Sequence, residues 1–249
     1  MGEQELLVAP AVPQEPKSDN YLKNILNLFL APTKTFASLA VKPRWLIPFI
    51  LCVIVSFTYE ATTNQFRMAD IKEKLRTDPS ISAEELQRRT DNIDAQAIHG
   101  FQIKALGIGV AILTTIQAFL LFGLTLIIWL ALQLSFPKPK FISLLSLVSF
   151  TFLISLPEAV LKIPLIHLKE TAKIYFSAAA FLPSAWEGSI LFRFLDGLNI
   201  FSIWMVILLM IGIPLISEIS RKRAIITISY LWLIWLILYS VSGGLVNIV

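Results

Sequence analysis

Five long stretches of this 249-residue chain contain no Asp, Glu, Lys or Arg. They are Trp45–Tyr59, Ala105–Phe136, Phe141–Pro157, Gly197–Ser217 and Ala224–Val249. A hydrocarbon layer about 30 Å thick requires about 20 apolar residues of helix, with every backbone polar group paired inside the protein. The pattern therefore predicts an all-α integral membrane protein, a bundle of five transmembrane helices. We place the spans at about residues 45–63, 105–136, 141–163, 197–218 and 224–246.

The composition supports this class and excludes several others. Hydrophobic residues make up 56% of the chain, and the mean hydropathy is +0.72, above the range of ordinary soluble domains. The net charge is only +4, and the basic clusters flank apolar stretches, so we expect no nucleic-acid partner. Cys52 is the only cysteine, which excludes a disulfide framework and a cysteine-based metal site. We expect no metal and no other cofactor.

The amino-terminal part divides into a tail and an amphipathic segment. Residues 1–20 carry three prolines among acids and small residues, which predicts a disordered cytoplasmic tail before a membrane domain at 21–249. Apolar residues then recur at helical spacing, with Lys23, Asn24 and Asn27 on the other side. These apolar residues are Leu22, Ile25, Leu26 and Phe29. They predict an interfacial helix on the membrane surface that ends before Pro32.

Basic and aromatic residues stand at the ends of the apolar stretches and are candidate lipid or interface contacts. They are Lys34, Lys42, Arg44, Trp45, Arg221, Lys222 and Arg223. Five spans put these residues on one side together with Lys138 and Lys140, in short connections with few acids. Residues 60–104 on the opposite side are also rich in basic residues, so we give most weight to those nearest the helix ends. The positive-inside rule then predicts a cytoplasmic N-terminus and an outside C-terminus.

Residues 60–104 form a hydrophilic connection between the first two spans. Asp78-Pro79 predicts a break, and the Ser-x-x-Glu pattern at Ser82–Glu85 is typical of a capping box that opens a helix. We expect that helix to run through Gln102 into the second span.

Four polar residues within the spans are candidates for an intramembrane site: Glu158, Thr114, Thr115 and Gln117. A charged group in the middle of a membrane helix costs about 2.5–3.5 kcal/mol on insertion scales and usually faces protein or water. These residues therefore suggest a polar route through a transporter or channel. The alternative is that Glu158 lies at the interface beside Lys162, and that the others make helix–helix hydrogen bonds.

No catalytic set is visible. Glu84–Arg89 matches the E-E-x-x-x-R string of intramembrane CAAX-type proteases, but it lies in a hydrophilic segment. His99 and His167 are far apart and lack the spaced partners that this family or a metal site requires. We therefore predict no catalytic residue and no enzyme.

Two parts of the chain carry distinctive motifs. The opening motif is Phe29…Pro32…Phe36…Pro43-Arg44-Trp45…Pro48. The closing motif is Asp196, Phe201-Ser202-Ile203-Trp204, Gly212 and Ser220-Arg221-Lys222-Arg223-Ala224. With the loop that holds Pro79 and Glu84-Glu85, these motifs resemble the Yip (Ypt-interacting protein) domain family, especially its prokaryotic members, over residues 22–245. The likeness to that branch implies a prokaryotic cytoplasmic membrane.

The resemblance implies five spans and a cytosolic amino terminus. Eukaryotic members assist vesicle trafficking and bind prenylated Rab GTPases, but this chain lacks their D-L-Y-G-P and G-Y-type motifs, so Rab binding does not carry over. We expect a non-enzymatic, multi-pass membrane protein that organises lipids or an unknown protein partner, and we leave a homo-oligomer open. The alternative is a small transporter or channel that uses the four polar residues.

Overall fold

The computed structural model describes residues 21–78, 80–99, 103–133, 139–217 and 219–242, and within them the chain is helical without strands. The α-helices are α1 (Tyr21–Leu30), α2 (Pro32–Val41), α3 (Leu46–Thr77), α4 (Ala83–His99), α5 (Ile103–Gln133), α6 (Phe141–Thr151), α7 (Ser155–Lys169), α8 (Ile190–Gly197), α9 (Ile200–Ile216) and α10 (Arg221–Ser242). Short 3₁₀ turns lie at Phe152–Ile154, Ala178–Phe181 and Ser184–Trp186. The predicted tail lies outside the described residues.

Four helical stretches are long and apolar enough to cross a membrane: Leu46–Thr77, Gly107–Gln133, Phe141–Lys169 and Arg221–Ser242. A fifth crossing is available if α8 and α9, which meet at a bend of 51°, form one span. The predicted all-α membrane fold is therefore confirmed, and four to five of its helices can cross a membrane, where we predicted five. In the third stretch, α6 passes through a 3₁₀ turn into α7 just before Pro157. Because proline has no N–H, it cannot continue the regular helical bonding at that point.

Helix α3 is much longer than the predicted first span, which we placed at 45–63. It continues without a break to Thr77. Two features support the extension: Arg67 Nη1 contacts Glu60 Oε1 at 2.9 Å, and Lys74 and Arg76 lie in the last turn, where cations stabilise the helix dipole. An ion pair from Lys72 to Asp94 joins this extension to α4. The hydrophilic connection is therefore two packed helices.

The predicted start of α4 is confirmed by its cap. The backbone N–H of Glu85 donates to Ser82 Oγ at 3.3 Å, the hydrogen bond that a Ser-x-x-Glu capping box provides. Before it, Asp78 Oδ1 accepts hydrogen bonds from the Ser80 hydroxyl at 2.6 Å and from the Ser80 N–H at 2.9 Å. These bonds lower the pKa of the Asp78 carboxyl, because they stabilise its charged form. Residues 100–102, between α4 and α5, lie outside the described residues.

Helix α6 lies at the centre of the bundle. Every residue from Ser143 to Thr151 is buried, and α6 packs against α5, α9, α3 and α2. The hydroxyls on this helix find backbone partners: Ser146 Oγ donates to the Ile142 carbonyl at 2.9 Å, and Ser149 Oγ donates to the Trp45 carbonyl at 2.7 Å. A central helix can therefore carry serines without leaving polar groups unpaired in the membrane.

Helices α1 and α2 form an antiparallel hairpin. At its open end the Arg44 guanidinium lies over the Tyr21 ring, 4.4 Å from the centroid, and along its length Thr35 Oγ1 donates to the Asn24 carbonyl at 3.0 Å. The hairpin packs on α9 and α6 through α2, whose Phe36 and Leu39 are fully buried.

Gly212 on α9 makes this close packing possible. A Cβ at this position would overlap Leu147 Cδ1 and would lie 3.1 Å from Phe36 Cδ2. Only glycine lets α2, α6 and α9 approach to this distance.

Candidate functional site

Helices α3 and α7 run side by side in the same direction. The Trp45 carbonyl meets Ser149 just before α7, the rings of Phe66 and His167 lie 4.9 Å apart, and Asp70 accepts from Thr171 Oγ1 at 3.0 Å. The sequence separation of these pairs stays between 101 and 104, which is the register of parallel helices. Equivalent turns of the two helices therefore lie at the same depth.

A cavity of about 350 Å³ lies between α3, α5 and α7. Its lining changes along the helices from apolar to hydroxyl and amide, and then to charged side chains. The lining residues are Val55, Ser56, Tyr59, Glu60, Leu113, Ile116, Gln117, Ser155, Glu158, Ala159 and Lys162. Ile116 is half exposed on the outside of the bundle, so the cavity opens toward the surface that faces the membrane.

Gln117 connects α5 to α3 across this cavity. Its Nε2 donates to the Cys52 carbonyl at 3.3 Å and also to Ser56 Oγ. Its Oε1 is buried and has no hydrogen-bond partner among the described residues. A buried unpaired amide oxygen is costly, so this atom is available to a donor that enters the cavity.

Glu158 is held by two neighbours. Lys162 Nζ contacts Glu158 Oε1 at 3.0 Å, one helical turn along α7, and Asn199 Nδ2 donates to the same oxygen at 3.3 Å. The side chains of Glu158 and Lys162 are 27% and 20% exposed, so the pair is screened only in part. Its i,i+4 geometry agrees with the interfacial alternative, and its place in the cavity also agrees with a binding role.

The structure therefore brings together two of the four predicted polar residues and separates the other two. Thr114 Oγ1 donates to the Val110 carbonyl at 2.7 Å, and Thr115 Oγ1 donates to the Ala111 carbonyl at 2.8 Å. Both hydroxyls are satisfied within α5, and neither residue lines the cavity.

Together with Gln117 and Glu158, the cavity includes Ser56, Tyr59, Glu60 and Ser155, which the sequence analysis did not single out. Their signal in the sequence was a polar residue at every third or fourth position after Cys52, which places Ser56, Tyr59 and Glu60 on one face of the helix.

The exposed face of α1 differs from the one that we predicted for the surface helix. Leu28 and Asn24 are fully buried, and Ile25 and Phe29 are partly buried against the core. Phe29 contacts the Trp204 ring at a centroid distance of 5.8 Å, whereas Leu26 is 62% exposed. Asn24, which we placed on the polar side, faces the bundle because α2 covers it. The side chain of Leu22 lies outside the described residues.

The predicted basic and aromatic contacts fall into two groups. Trp45 and Arg44 belong to the packed region: Trp45 contacts Phe122 edge-to-face at 5.6 Å, and Arg44 stacks on Tyr21. The remaining five basic residues are exposed: Lys34, Lys42, Arg221, Lys222 and Arg223. We call these five the basic surface.

The segment between α7 and α8 is tied to its neighbours by polar contacts. Asp70 Oδ2 accepts from the Ala172 N–H at 2.7 Å, and Lys173 Nζ contacts Glu187 at 2.9 Å. Burial, and then the negative charges of Glu187, Asp196 and Asp70, raise the pKa of Tyr175 to about 12. This segment is a structured cover at the end of the bundle.

No cluster of three His, Cys, Asp or Glu side chains suited to a metal ion occurs among the residues that the structure describes. His167 contacts the Phe66 ring edge-to-face, and the side chain of His99 lies outside the described residues. Glu84 and Glu85 pair with Arg88 and Arg89 on the exposed surface of α4.

Comparison with known proteins gives a single result. No curated protein and no solved structure matches the chain. The model of a family described as the Yip1 domain matches residues 26–242, which is most of the chain and includes the second half of α1, all of α2, the cavity and the last helix. Together with the helical architecture, this match shows that the chain is a multi-pass integral membrane protein of the Yip1 domain family.

Proposed function

We propose that the protein is non-enzymatic and organises protein partners or lipids in the membrane, in a trafficking or assembly role. The observation that carries this proposal is the basic surface. All five of its side chains are exposed, and none of them forms an ion pair with another described residue. Unpaired cations beside a membrane attract anionic headgroups or an acidic protein segment.

The packing of the hairpin supports this role. Helix α2 carries Lys34 and is followed by Lys42, and it packs along α9, which ends at Ile216 shortly before Arg221. Each Lys or Arg near an anionic surface contributes about 1 kcal/mol, so the five together are worth on the order of 5 kcal/mol at low salt. Salt screens such contacts, so binding should weaken as ionic strength rises.

The test is the triple substitution of Arg221, Lys222 and Arg223 by Gln, in a tagged full-length chain that is crosslinked in cells and purified. We expect loss of most of the retained anionic lipid or of the crosslinked partner, as measured by mass spectrometry. The matched control replaces Arg88 and Arg89, which are also exposed but have ion-pair partners on α4. Cysteine accessibility of both variants checks that the topology is unchanged. Equal retention by the triple variant and the control would contradict the proposal.

A transporter or channel is the second candidate, and the cavity with Gln117 and Glu158 favours it. The two functions predict opposite responses. A transporter should lose solute flux in proteoliposomes after Glu158→Gln or Gln117→Ala, whereas an organising protein should keep its partner. Phe29→Glu should abolish the organising role, because a charge beside Trp204 would separate the hairpin from α9.

A further inference from the structure

We propose that the cavity between α3, α5 and α7 binds the headgroup of a zwitterionic amine phospholipid, as in a phosphatidylethanolamine. The inference extends the lipid part of the proposed function to a second site, remote in sequence from the basic surface. Its basis is the order of the lining residues, the hydrogen-bond acceptors that remain free and the balance of charge.

The lining is graded in the way that an amphiphile requires. On α3, Val55 and Ser56 are followed one turn later by Glu60, and on α7, Ser155 is followed by Glu158 and then by Lys162. By the register of the two parallel helices, Lys162 lies level with Glu60, and Glu158 lies level with Val55 and Ser56. Ser155 lies a further turn toward the other end, where Gln117 of α5 contacts Cys52. A headgroup can thus meet the charges while its acyl chains leave over Val55 and Ile116.

The cavity is the right size for a headgroup only. Its volume of about 350 Å³ lies at the lower end of the range for small-molecule pockets, about 300–1,000 Å³. A whole phospholipid does not fit in this volume. Because Ile116 is half exposed, the acyl chains can remain in the bilayer beside α5.

The free hydrogen-bonding groups favour a primary amine. Lys162 and Asn199 both contact Oε1 of Glu158, and its second carboxylate oxygen receives no hydrogen bond from any described residue. Gln117 Oε1 is a further unpaired acceptor in the lining. A primary ammonium can donate to such acceptors, whereas the quaternary ammonium of choline has no N–H to donate.

The charges favour a zwitterion over an anion. Glu60 is balanced by Arg67, and Glu158 is balanced by Lys162. If the ligand's ammonium takes the place of Lys162 beside Glu158, Lys162 becomes free to pair with the ligand's phosphate. Each charged group then has a partner of opposite charge. A purely anionic headgroup would use Lys162 and leave Glu158 unpaired in a partly buried site, which is costly.

The experiment uses the full-length protein in nanodiscs that contain equal amounts of phosphatidylethanolamine, phosphatidylcholine and phosphatidylglycerol. Native mass spectrometry then measures the lipids that stay bound to the released protein. We expect about a tenfold enrichment of the ethanolamine lipid over each of the others, the ratio that one additional charge-assisted hydrogen bond gives. Glu158→Gln should remove most of this enrichment, and Lys162→Gln should reduce it.

The control is Thr115→Val, which lies on the same helix as Gln117, is exposed and does not line the cavity. It should retain the ethanolamine lipid at the wild-type level. Size-exclusion profiles check that all variants are folded. The triple variant of the basic surface should also retain this lipid, so failure of the proposed function and failure of this inference give different results.

Three results would overturn the inference. The first is equal retention of the three lipids by the wild-type protein. The second is unchanged selectivity after Glu158→Gln in a folded variant. The third is displacement of the bound lipid by soluble phosphoethanolamine at concentrations comparable to the lipid, which would identify a soluble amine as the ligand.

Discussion

Gly212 provides the sharpest test of how the hairpin is held. Replacing it with alanine adds a single Cβ, which would overlap Leu147 Cδ1, lie 3.0 Å from Leu147 Cδ2 and lie 3.1 Å from Phe36 Cδ2. Leu147 and Phe36 are both fully buried, so neither side chain has open space into which it can turn. The added carbon must therefore push α2, α6 and α9 apart.

The expected magnitude is the difference of two effects. Overpacking a well-packed core by one carbon costs about 1–3 kcal/mol, and replacing glycine with alanine within a helix returns about 1 kcal/mol. We therefore expect Gly212→Ala to lower the free energy of unfolding by up to about 2 kcal/mol. Gly123→Ala on α5 is the matched control, because its Cβ would meet nothing within 4 Å. That variant should be as stable as the wild type or slightly more stable.

The assay is reversible unfolding in SDS mixed micelles, followed by tryptophan fluorescence. A double-mutant cycle with Leu147→Ala identifies the contact, since Gly212→Ala should cost little once the leucine is shortened. We expect a coupling energy of about 1–3 kcal/mol between the two sites. If Gly212→Ala behaves like Gly123→Ala, or if the cycle shows no coupling, the close packing of α2 on α6 and α9 is wrong.

Three further predictions concern single residues. Asn24→Leu should raise the free energy of unfolding by about 1–3 kcal/mol, because both side-chain amide atoms of Asn24 are buried and have no hydrogen-bond partner among the described residues; the same SDS assay measures this, and lower stability would contradict it. Tyr175→Phe should flatten the loss of stability above pH 10: the folded phenol keeps its proton up to a pKa of about 12, while the unfolded phenol loses it near 10, so stability falls with rising pH in that window. If the free energies of unfolding of the wild type and the variant differ by the same amount from pH 9 to pH 11, the raised pKa of Tyr175 is wrong. Ser82→Ala should speed amide hydrogen exchange in the first turn of α4, because it removes the acceptor for the Glu85 N–H; equal exchange would show that the cap contributes nothing.

The sequence was most informative about properties that a single helix determines by itself, such as its apolar length and its first residue. The charge-free stretches predicted the membrane helices because the requirement for apolar length is a property of each segment. The capping box at Ser82–Glu85 was equally local, and the structure contains its hydrogen bond. The start of the third stretch at Phe141 was also predicted, since the basic, proline-containing sequence 137–140 precedes it.

The sequence was least informative where the burial or bonding of a side chain depends on a neighbouring helix. Asn24 is buried because α2 folds back over α1, and the periodicity of α1 alone contains no information on that cover. Thr114 and Gln117 are both polar residues of α5, yet one bonds within its own helix and the other reaches α3. The extension of α3 to Thr77 packs on α4 and forms an ion pair with it, and this contact lies outside the apolar pattern.

The central claim is that the protein acts by organising lipids or a protein partner. In-cell crosslinking of the tagged protein, followed by mass spectrometry of co-purified proteins and lipids, tests it most directly. We expect a reproducible, near-stoichiometric protein partner or an enriched anionic lipid, either of which is lost when Arg221, Lys222 and Arg223 are neutralised. A preparation that retains neither, together with solute flux in proteoliposomes that vanishes after Glu158→Gln, would contradict it.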